Sequence, residues 1–347
     1  MSQYIPNLKM KNIALFLSLG LLTVCANAQN DIDVLLAGGV EDAERFANDY
    51  LAPGTNGLMH SMNANWFNSA KAKPLGGFEI SIIANAALVG DEDKLFNLDT
   101  SQYNNVEFLQ GPSAQNVSTV LGENNPAVLV EVKYEDPIFG SQTVQLELPN
   151  GIGDTAANLI PSAFVQGAVG LGSGIEIKGR FIPKYENEDV KFNTYGAGLQ
   201  FEFTELLPAG KLWPAALSGL VAYNHIDASY NLSGTSNIEG ENQRLENNTN
   251  TWLFQLIAST KLPVINFYGG VGLISGTSES DLLGTYRVTD GLITSETITD
   301  PFSVSSQVSD LRGTIGTKLK LGFFRLNAEY HISQFQAVSV GINFGYR

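Results

Sequence analysis

The 347-residue chain carries a single cysteine, Cys25. Downstream of it there are no thiols, so disulfides, thiol catalysis and cysteine-ligated metals are excluded from that part of the chain. Basic residues are also scarce: 20 Lys and Arg stand against 35 Asp and Glu, a formal net charge of −15. That balance argues against a nucleic-acid partner. Only three histidines occur, His60, His225 and His331, and they lie far apart, without metal-ligand spacing. No metal and no cofactor is expected. After position 28 no run of eighteen apolar residues exists, so no transmembrane helix is expected there. A mean hydropathy of zero with 44% apolar residues fits neither a helical membrane protein nor a disordered chain.

What is present begins with an export signal. Lys9 and Lys11 precede an apolar run from Ile13 to Val24, followed by Ala26-Asn27-Ala28. This is the pattern of a secretory signal peptide over residues 1–28, cut between Ala28 and Gln29. Met10 is the natural start of that signal. A lipoprotein reading of Cys25 is outweighed, because Val24 is a poor residue before a lipidated cysteine and Ala28 is a better cut. Cleavage removes two lysines and no acids, so the charge moves from 20 − 35 = −15 to 18 − 35 = −17.

The remainder alternates apolar and polar residues at the period of a strand. Val338, Val340, Ile342, Phe344 and Tyr346 share one face, opposite Ser339, Gly341, Asn343 and Gly345. Phe324, Leu326, Ala328, Tyr330 and Ile332 oppose Arg325, Asn327, Glu329 and His331. Similar faces recur at Ile175–Phe181, Ala197–Phe203, Trp252–Leu262 and Ile265–Leu273. A soluble sandwich also alternates, but these segments are long for one. Short turns near Gly172-Ser173-Gly174, Pro263 and Gly322 also alternate with long polar stretches at 89–126, 232–248 and 277–303. That combination is the signature of an outer-membrane barrel.

The expected fold is therefore all-β, an antiparallel transmembrane β-barrel over 75–347 with about twelve strands, within a range of ten to fourteen. The threading places strands at 75–88, 127–133, 142–149, 160–171, 175–183, 191–204, 214–231, 249–262, 264–276, 304–321, 323–333 and 337–346. Both ends then fall on the periplasmic side. Within 89–160 the strands are short and punctuated by Pro126, Pro137 and Pro149, so an outer hairpin or a lumen insert fits there equally well. Residues 282–299 are read as a loop hairpin. Trp213, Trp252, Phe203, Phe267, Tyr268, Phe323 and Phe324 fall near strand ends, where interfacial aromatic girdles sit.

Residues 29–74 differ. Val40, Ala43, Phe46, Ala47 and Tyr50 recur at helical spacing, which predicts a short amphipathic helix ending near Leu51-Ala52-Pro53-Gly54. A second apolar cluster follows at Leu58, Met59, Met62, Trp66 and Phe67. This segment either plugs the lumen, with Phe46, Tyr50, Met59, Met62, Trp66 and Phe67 as its contacts, or caps the periplasmic mouth, or forms a latch outside the pore.

The polar strand faces carry charges of both signs: Glu176, Lys178, Arg180, Glu202, Arg312, Lys318, Lys320, Arg325 and Glu329, with His331 beside them. Unpaired charges facing lipid cost several kcal/mol, so these residues are expected to line the lumen. They describe either a wet pore or a closed lumen cross-linked by ion pairs. His331-Ile332-Ser333 resembles the His-x-Ser pair of outer-membrane lipid A deacylases and phospholipases. Here the face also carries Arg325 and Glu329 and should point inward, and Gln334 stands where those motifs carry Asn, so no catalytic residue is assigned. The glycines at 167–174 and 269–276 open no helix and are read as strand bends rather than phosphate loops. Asp91-Glu92-Asp93 is read as a solvated acidic loop rather than a calcium site.

As a whole the chain resembles outer-membrane β-barrel proteins of Bacteroidota, and more narrowly a family with only a domain-of-unknown-function label. The resemblance rests on Cys25-Ala26-Asn27-Ala28-Gln29, on Asp42 to Ala70 with its Leu51, Pro53, Gly57 and Trp66-Phe67, on Gly76-Gly77-Phe78, and on the closing Phe344-Gly345-Tyr346-Arg347. An N-terminal plug before a barrel is similar in architecture to the long-chain fatty acid transporter family. The last strand resembles the signal read by the barrel-assembly machinery, with Arg347 as a departure. The expected partners are thus outer-membrane lipid and that machinery. The expected function is a channel or transporter for a small solute, hydrophobic solutes included. The alternatives are a surface or structural barrel that binds through its long loops and, further off, a lipid-modifying enzyme.

Overall fold

The computed structural model describes Leu36 and residues 38–346, apart from 137–139, 152, 154–157, 188–189, 209–212, 233–239 and 291–293. The signal segment, with its Ala28–Gln29 cut, lies outside the described residues. In chain order the elements are helix α1 (Val40–Met62), β1 (Phe78–Leu88), β2 (Leu95–Asp99), β3 (Val106–Phe108), β4 (Ala114–Ser118), β5 (Leu129–Asp136) and β6 (Gly140–Glu147). Then follow β7 (Leu159–Gly172), β8 (Ile175–Glu186), β9 (Val190–Glu202), β10 (Ala215–Asn231), β11 (Arg244–Thr260) and β12 (Ile265–Leu283). The last are β13 (Thr285–Asp290), β14 (Thr294–Thr299), β15 (Phe302–Leu321), β16 (Phe324–Ile332) and β17 (Ala337–Tyr346).

Ten of these strands close an antiparallel barrel in the order β1-β17-β16-β15-β12-β11-β10-β9-β8-β7. The count is ten rather than about twelve. The expected strands at 127–133 and 142–149 exist as β5 and β6, but they pair with β3 in a separate sheet, while β1 pairs directly with β7. The physical reason lies in their faces. Val130, Val132 and Leu146 are buried, and the opposite side of β6 is polar, so neither strand offers an apolar face to lipid. Within 282–299, β13 and β14 pair as a separate two-stranded sheet, while Leu282 and Leu283 still belong to barrel strand β12.

Each barrel strand alternates as its sequence predicts. On β1, Phe78, Ile80 and Ile82 point outward, while Glu79, Ser81, Ile83 and Asn85 are buried inside. The outer surface is apolar, with Leu311 72%, Val271 67% and Leu256 63% exposed side by side on β15, β12 and β11. This belt is bounded by rings. Phe267 lies at the turn end of β12, and Trp252 stacks with Phe254 and meets Tyr223 at a tilt towards the loop end. Eight residues of β12 separate Phe267 from Ser275, the partner of Trp252. At ~3.3 Å per residue and ~40° tilt this is roughly 20 Å, close to the apolar band a barrel shows to lipid. Trp213, Trp252, Phe267 and Phe323 are outward-facing and exposed. Tyr268 is a correction: it is buried inside the barrel, edge-on to Phe67.

Helix α1 also corrects its expected end. It runs through Pro53 to Met62, 23 residues in all. Proline removes one N–H and crowds the preceding turn. Here the Thr55 hydroxyl returns a bond to the Ala52 carbonyl at 3.0 Å, and also bonds Ser306 on β15 at 2.9 Å. Packing then outweighs the local penalty, because both halves of the helix bury one face against neighbours. Its first half packs under a cap built from residues 89–158, where Phe46 and Tyr50 share a core with Leu98, Val117, Val120, Val130 and Leu146. Its last turns sit among β1, β7, β11, β12 and β15.

The occluded lumen as candidate functional site

The helix end and the linker 63–74 pack against inward-facing residues of the barrel strands. Four contacts seat this segment. Strand glycines that face inward act as sockets: Gly198 lies against the Trp66 ring, Gly270 against Phe67 and Gly276 against Met59 Sδ, where an added Cβ would sit 3.0, 3.1 and 2.8 Å away. In the fourth, Gly57 is the small partner, since a Cβ there would collide with Ile160. Gly270 and Gly276 are thus seats for the plug rather than bends. Met62 packs with Ile83, Phe164 and Ile226. All six plug candidates are buried, and Phe46 and Tyr50 belong to a core that the cap shares with the loop ends of the barrel strands, Val304 and Leu282 among them.

Glu176, Lys178, Arg180, Arg312, Lys318 and Glu329 are buried inside the barrel, and the charged groups fall in two layers. The upper layer meets the helix C-terminus, whose last carbonyls have no intrahelical donor. Arg312 Nη1 donates to His60 O at 2.9 Å and Arg180 Nη1 to Met62 O at 2.8 Å. Two guanidiniums thus cap the negative end of the helix dipole. Arg180 also forks onto Gln166 Oε1 and covers the faces of Trp66 and Phe164. Glu329 is the acid whose field both guanidiniums share, and its oxygens accept no hydrogen bond among the described residues. Neutral bonds complete the layer: Asn224 to Asn63, Asn327 to Asn65, and Asn85 to Ser61, which also meets Ser162 Oγ at 2.7 Å.

The lower layer stitches the linker to the wall. Glu79 receives Lys318 at 2.9 Å, Arg325 at 2.7 Å and the Asn68 amide at 2.8 Å. Glu176 receives Lys178 at 2.7 Å and both the backbone and the amine of Lys73. Glu202 accepts the Ala72 N–H at 2.8 Å. Gln200 donates to Ser69 O, and Ser259 Oγ accepts the Ala70 N–H. Lys320 is half-buried at the mouth. Ion pairs and hydrogen bonds thus cross-link the linker to the inner wall in this layer. Glu79, which joins three cations, was missed, although its place opposite Phe78, Ile80 and Ile82 carries the same period-2 signal as the others.

Nothing catalytic is assembled at His331-Ile332-Ser333. His331 is buried and its ring nitrogens face Ser339 and Thr314, not Ser333. Ser333 Oγ donates to Phe335 O at 2.7 Å and lies 3.2 Å from His60 Nδ1. Asp310 is 3.8 Å from the far nitrogen of His60. A serine whose proton is held by a carbonyl is not an activated nucleophile. His225 faces outward, bonded to Asn250 and Asp227. Asp91-Glu92-Asp93 forms one turn in the cap, where burial raises the Asp93 carboxyl above its ordinary range. Among the described residues no group of three or more potential ligands is placed to hold a metal.

These features define a class: an antiparallel ten-stranded barrel with an apolar exterior, closed by its own N-terminal segment. The chain belongs to the family of unknown function DUF6588, whose model matches residues 10–346. No curated protein matches it. Among solved structures it is similar to the translocator domain of the autotransporter NalP from Neisseria meningitidis, at 11% identity and a TM-score of 0.30, covering 79% of this chain and 89% of that one. It is also similar to Ail, the attachment invasion locus protein of Yersinia pestis, at 11% identity and 0.21, covering 78% and 98%. A third is the outer membrane protease OmpT from Escherichia coli, at 6% identity and 0.27, covering 78% and 97%. At these scores the likeness carries no functional meaning, and the reading rests on the geometry.

Proposed function

We propose that the protein is an outer-membrane β-barrel whose lumen is a gated passage for a small hydrophilic solute, closed in this conformation by α1 and the linker. The apolar belt supports the membrane, and the short turns at one end support a periplasmic placement of that end. The observation that carries the gating is the chemistry of the wall against the plug. Apolar packing would seal a permanently closed barrel at least as well as buried ion pairs, which are often neutral or worse for stability. The inner wall instead carries Glu79, Glu176, Lys178, Arg180, Arg312 and Lys318, and such a wall stays wettable when the segment leaves. It favours a polar solute over the apolar one the sequence allowed. No residue is assigned a catalytic role.

The test is a lock. Ser61 on α1 and Ser162 on β7 have hydroxyls 2.7 Å apart, and the chain after position 28 has no cysteine of its own. In planar bilayers, the S61C/S162C protein is expected to be silent when oxidised and to open like the wild type after reduction. A variant lacking residues 40–66 is expected to conduct constitutively. If that shortened barrel folds and passes no ions, the passage reading fails. A second reading, a surface barrel that binds through its cap, is favoured by the separate core of the cap. It predicts silence in every variant.

A further inference from the structure

We propose that the turn-end mouth of the barrel is a vestibule that binds a small, multiply charged anion bearing carboxylate or phosphate groups. This deepens the gated-passage reading by naming its solute class, although binding itself does not require conduction. The mouth holds a cavity of about 370 Å³ between the linker, the β11–β12 turn, β15 and β16. That is within the size range of small-molecule sites. Six cationic side chains line it, against one carboxylate, Glu176. Including Glu79, Lys178 and Glu202 directly behind, the count is seven cations and three acids, 7 − 3 = +4. The chain as a whole is −15, so everything else sums to −15 − 4 = −19. The positive charge is therefore concentrated here against the trend of the molecule.

The acids in the mouth are already engaged. Glu79 and Glu176 each hold two or more cations, and Glu202 holds the Ala72 N–H. Lys71, Lys261 and Lys320 have no ion pair among the described residues. The amines of Lys261 and Lys320 donate to neutral carbonyls, Trp213 O at 3.1 Å and Leu262 O at 3.3 Å. A concave, low-dielectric mouth with surplus charge of one sign focuses the field and raises the local concentration of counter-ions. A ligand with two or more negative charges can bridge these amines, whereas a single charge meets them one at a time. Lysine and arginine on the inward faces of β15 and β16 point to a solute from the lumen side, not to lipid headgroups around the outside.

Isothermal titration of the detergent-solubilised barrel, in uncharged detergent and low salt, uses inorganic pyrophosphate and citrate as probes. The wild type is expected to bind both. The triple variant K71Q/K261Q/K320Q is expected to bind about tenfold more weakly or worse, since three unpaired charges are lost. A control triple on loop-end lysines, K133Q/K184Q/K191Q, should bind like the wild type. Retained heat-modifiability on a gel shows that each variant is folded. The proposal is overturned if the wild type binds neither probe at millimolar concentration, or if both triples behave alike. It is also overturned if only phosphatidylglycerol micelles bind in a manner the first triple abolishes, which would assign the lysines to headgroups. A folded barrel that lacks residues 40–66 and passes no ions sinks the passage and leaves these titrations standing, so the two failures are distinguishable.

Discussion

Arg180 on β8 stacks on Trp66 of the linker, its guanidinium carbon 3.8 Å from the ring centroid, in a place closed to water on every side. The pair does two jobs at once. It seats the aromatic against Gly198, and it holds a cation beneath the helix C-terminus. Desolvated cation–π pairs contribute about 2 kcal/mol, and truncating a buried tryptophan costs about 3–5 kcal/mol. Trp66→Ala is therefore expected to lower the unfolding midpoint of the folded, fast-migrating gel species by many degrees. Ion leak through the barrel should rise with it. A Trp66→Ala protein as stable and as tight as the wild type would show that the plug is not seated by this residue.

The socket glycines allow a cleaner separation of plug from wall. At Gly198 a side chain would press on the Trp66 ring, whereas at Gly167, on the outward face of β7, a Cβ meets nothing within 4 Å. Valine suits a strand at both positions. Gly198→Val is expected to cost about 1–3 kcal/mol by overpacking. Gly167→Val should stay within ~0.5 kcal/mol of the wild type. Thermal gel-shift curves of the two variants, run side by side, check the contrast. Equal curves would remove the sockets from the account.

Much of this arrangement was legible in the sequence, and the limits are physical. Period-2 alternation placed Arg312, Lys318, Arg325 and Glu329 on the inner face, because a one-residue slip would have put each of them in lipid. The same alternation does not say whether a strand joins the barrel, which is why β5 and β6 were counted into it. Pro53 signalled a helix end that tertiary packing overrode. Gly270 and Gly276 read as bends, and Gly198 only as part of a polar strand face, because their partners, Phe67, Met59 and Trp66, lie more than a hundred residues away. No local pattern links a glycine to a distant ring.

Glu79 is the hub of the lower layer. Lys318 and Arg325 touch one of its oxygens and Lys73 lies 3.8 Å from the other. Removing one partner of a buried pair leaves uncompensated charge and costs about 3–5 kcal/mol. Glu79→Gln is accordingly expected to destabilise the barrel by that order in urea titrations in micelles. Adding Lys318→Met, which removes one stranded cation, should recover part of the loss. A double variant that is worse than the sum of its singles would contradict the hub.

The cap is held to the helix rather than to the barrel rim alone. The Asp42 carboxylate accepts the Asn104 and Asn105 N–H groups at 2.9 and 2.8 Å, and Val120 N–H donates to Tyr50 O at 2.9 Å. The strands flanking the cap, β1 and β7, are paired along their length without it. Replacing residues 91–156 by a short turn should leave a folded barrel, since closing a shorter loop costs less chain entropy. The N-terminal half of α1 would then be uncovered. Limited proteolysis of intact cells is expected to cut near Arg45 in this variant and not in the wild type. A barrel that no longer forms would mean that the cap is needed for closure.

The membrane reading makes the sharpest demand on three neighbouring side chains. Leu256 and Val271 are directly opposed across β11 and β12, and Leu311 sits two strands along, paired with Leu273. All three are largely exposed in the isolated chain, between the levels of Trp252 and Phe267. In water, arginine at such a site would be harmless or would help solubility. In a bilayer it costs about 2–4 kcal/mol at the midplane, falling to roughly 0–1 near the interface. Leu311→Arg should therefore reduce the heat-modifiable form recovered from outer membranes and lower its urea midpoint. Leu206→Arg, an equally exposed change in the turn-end loop after β9, should do neither. The comparison is internal, because both variants add one arginine at one exposed leucine. Equal recovery would mean that no lipid covers the β11–β15 face, and the charged wall inside would then belong to a barrel that stands in water.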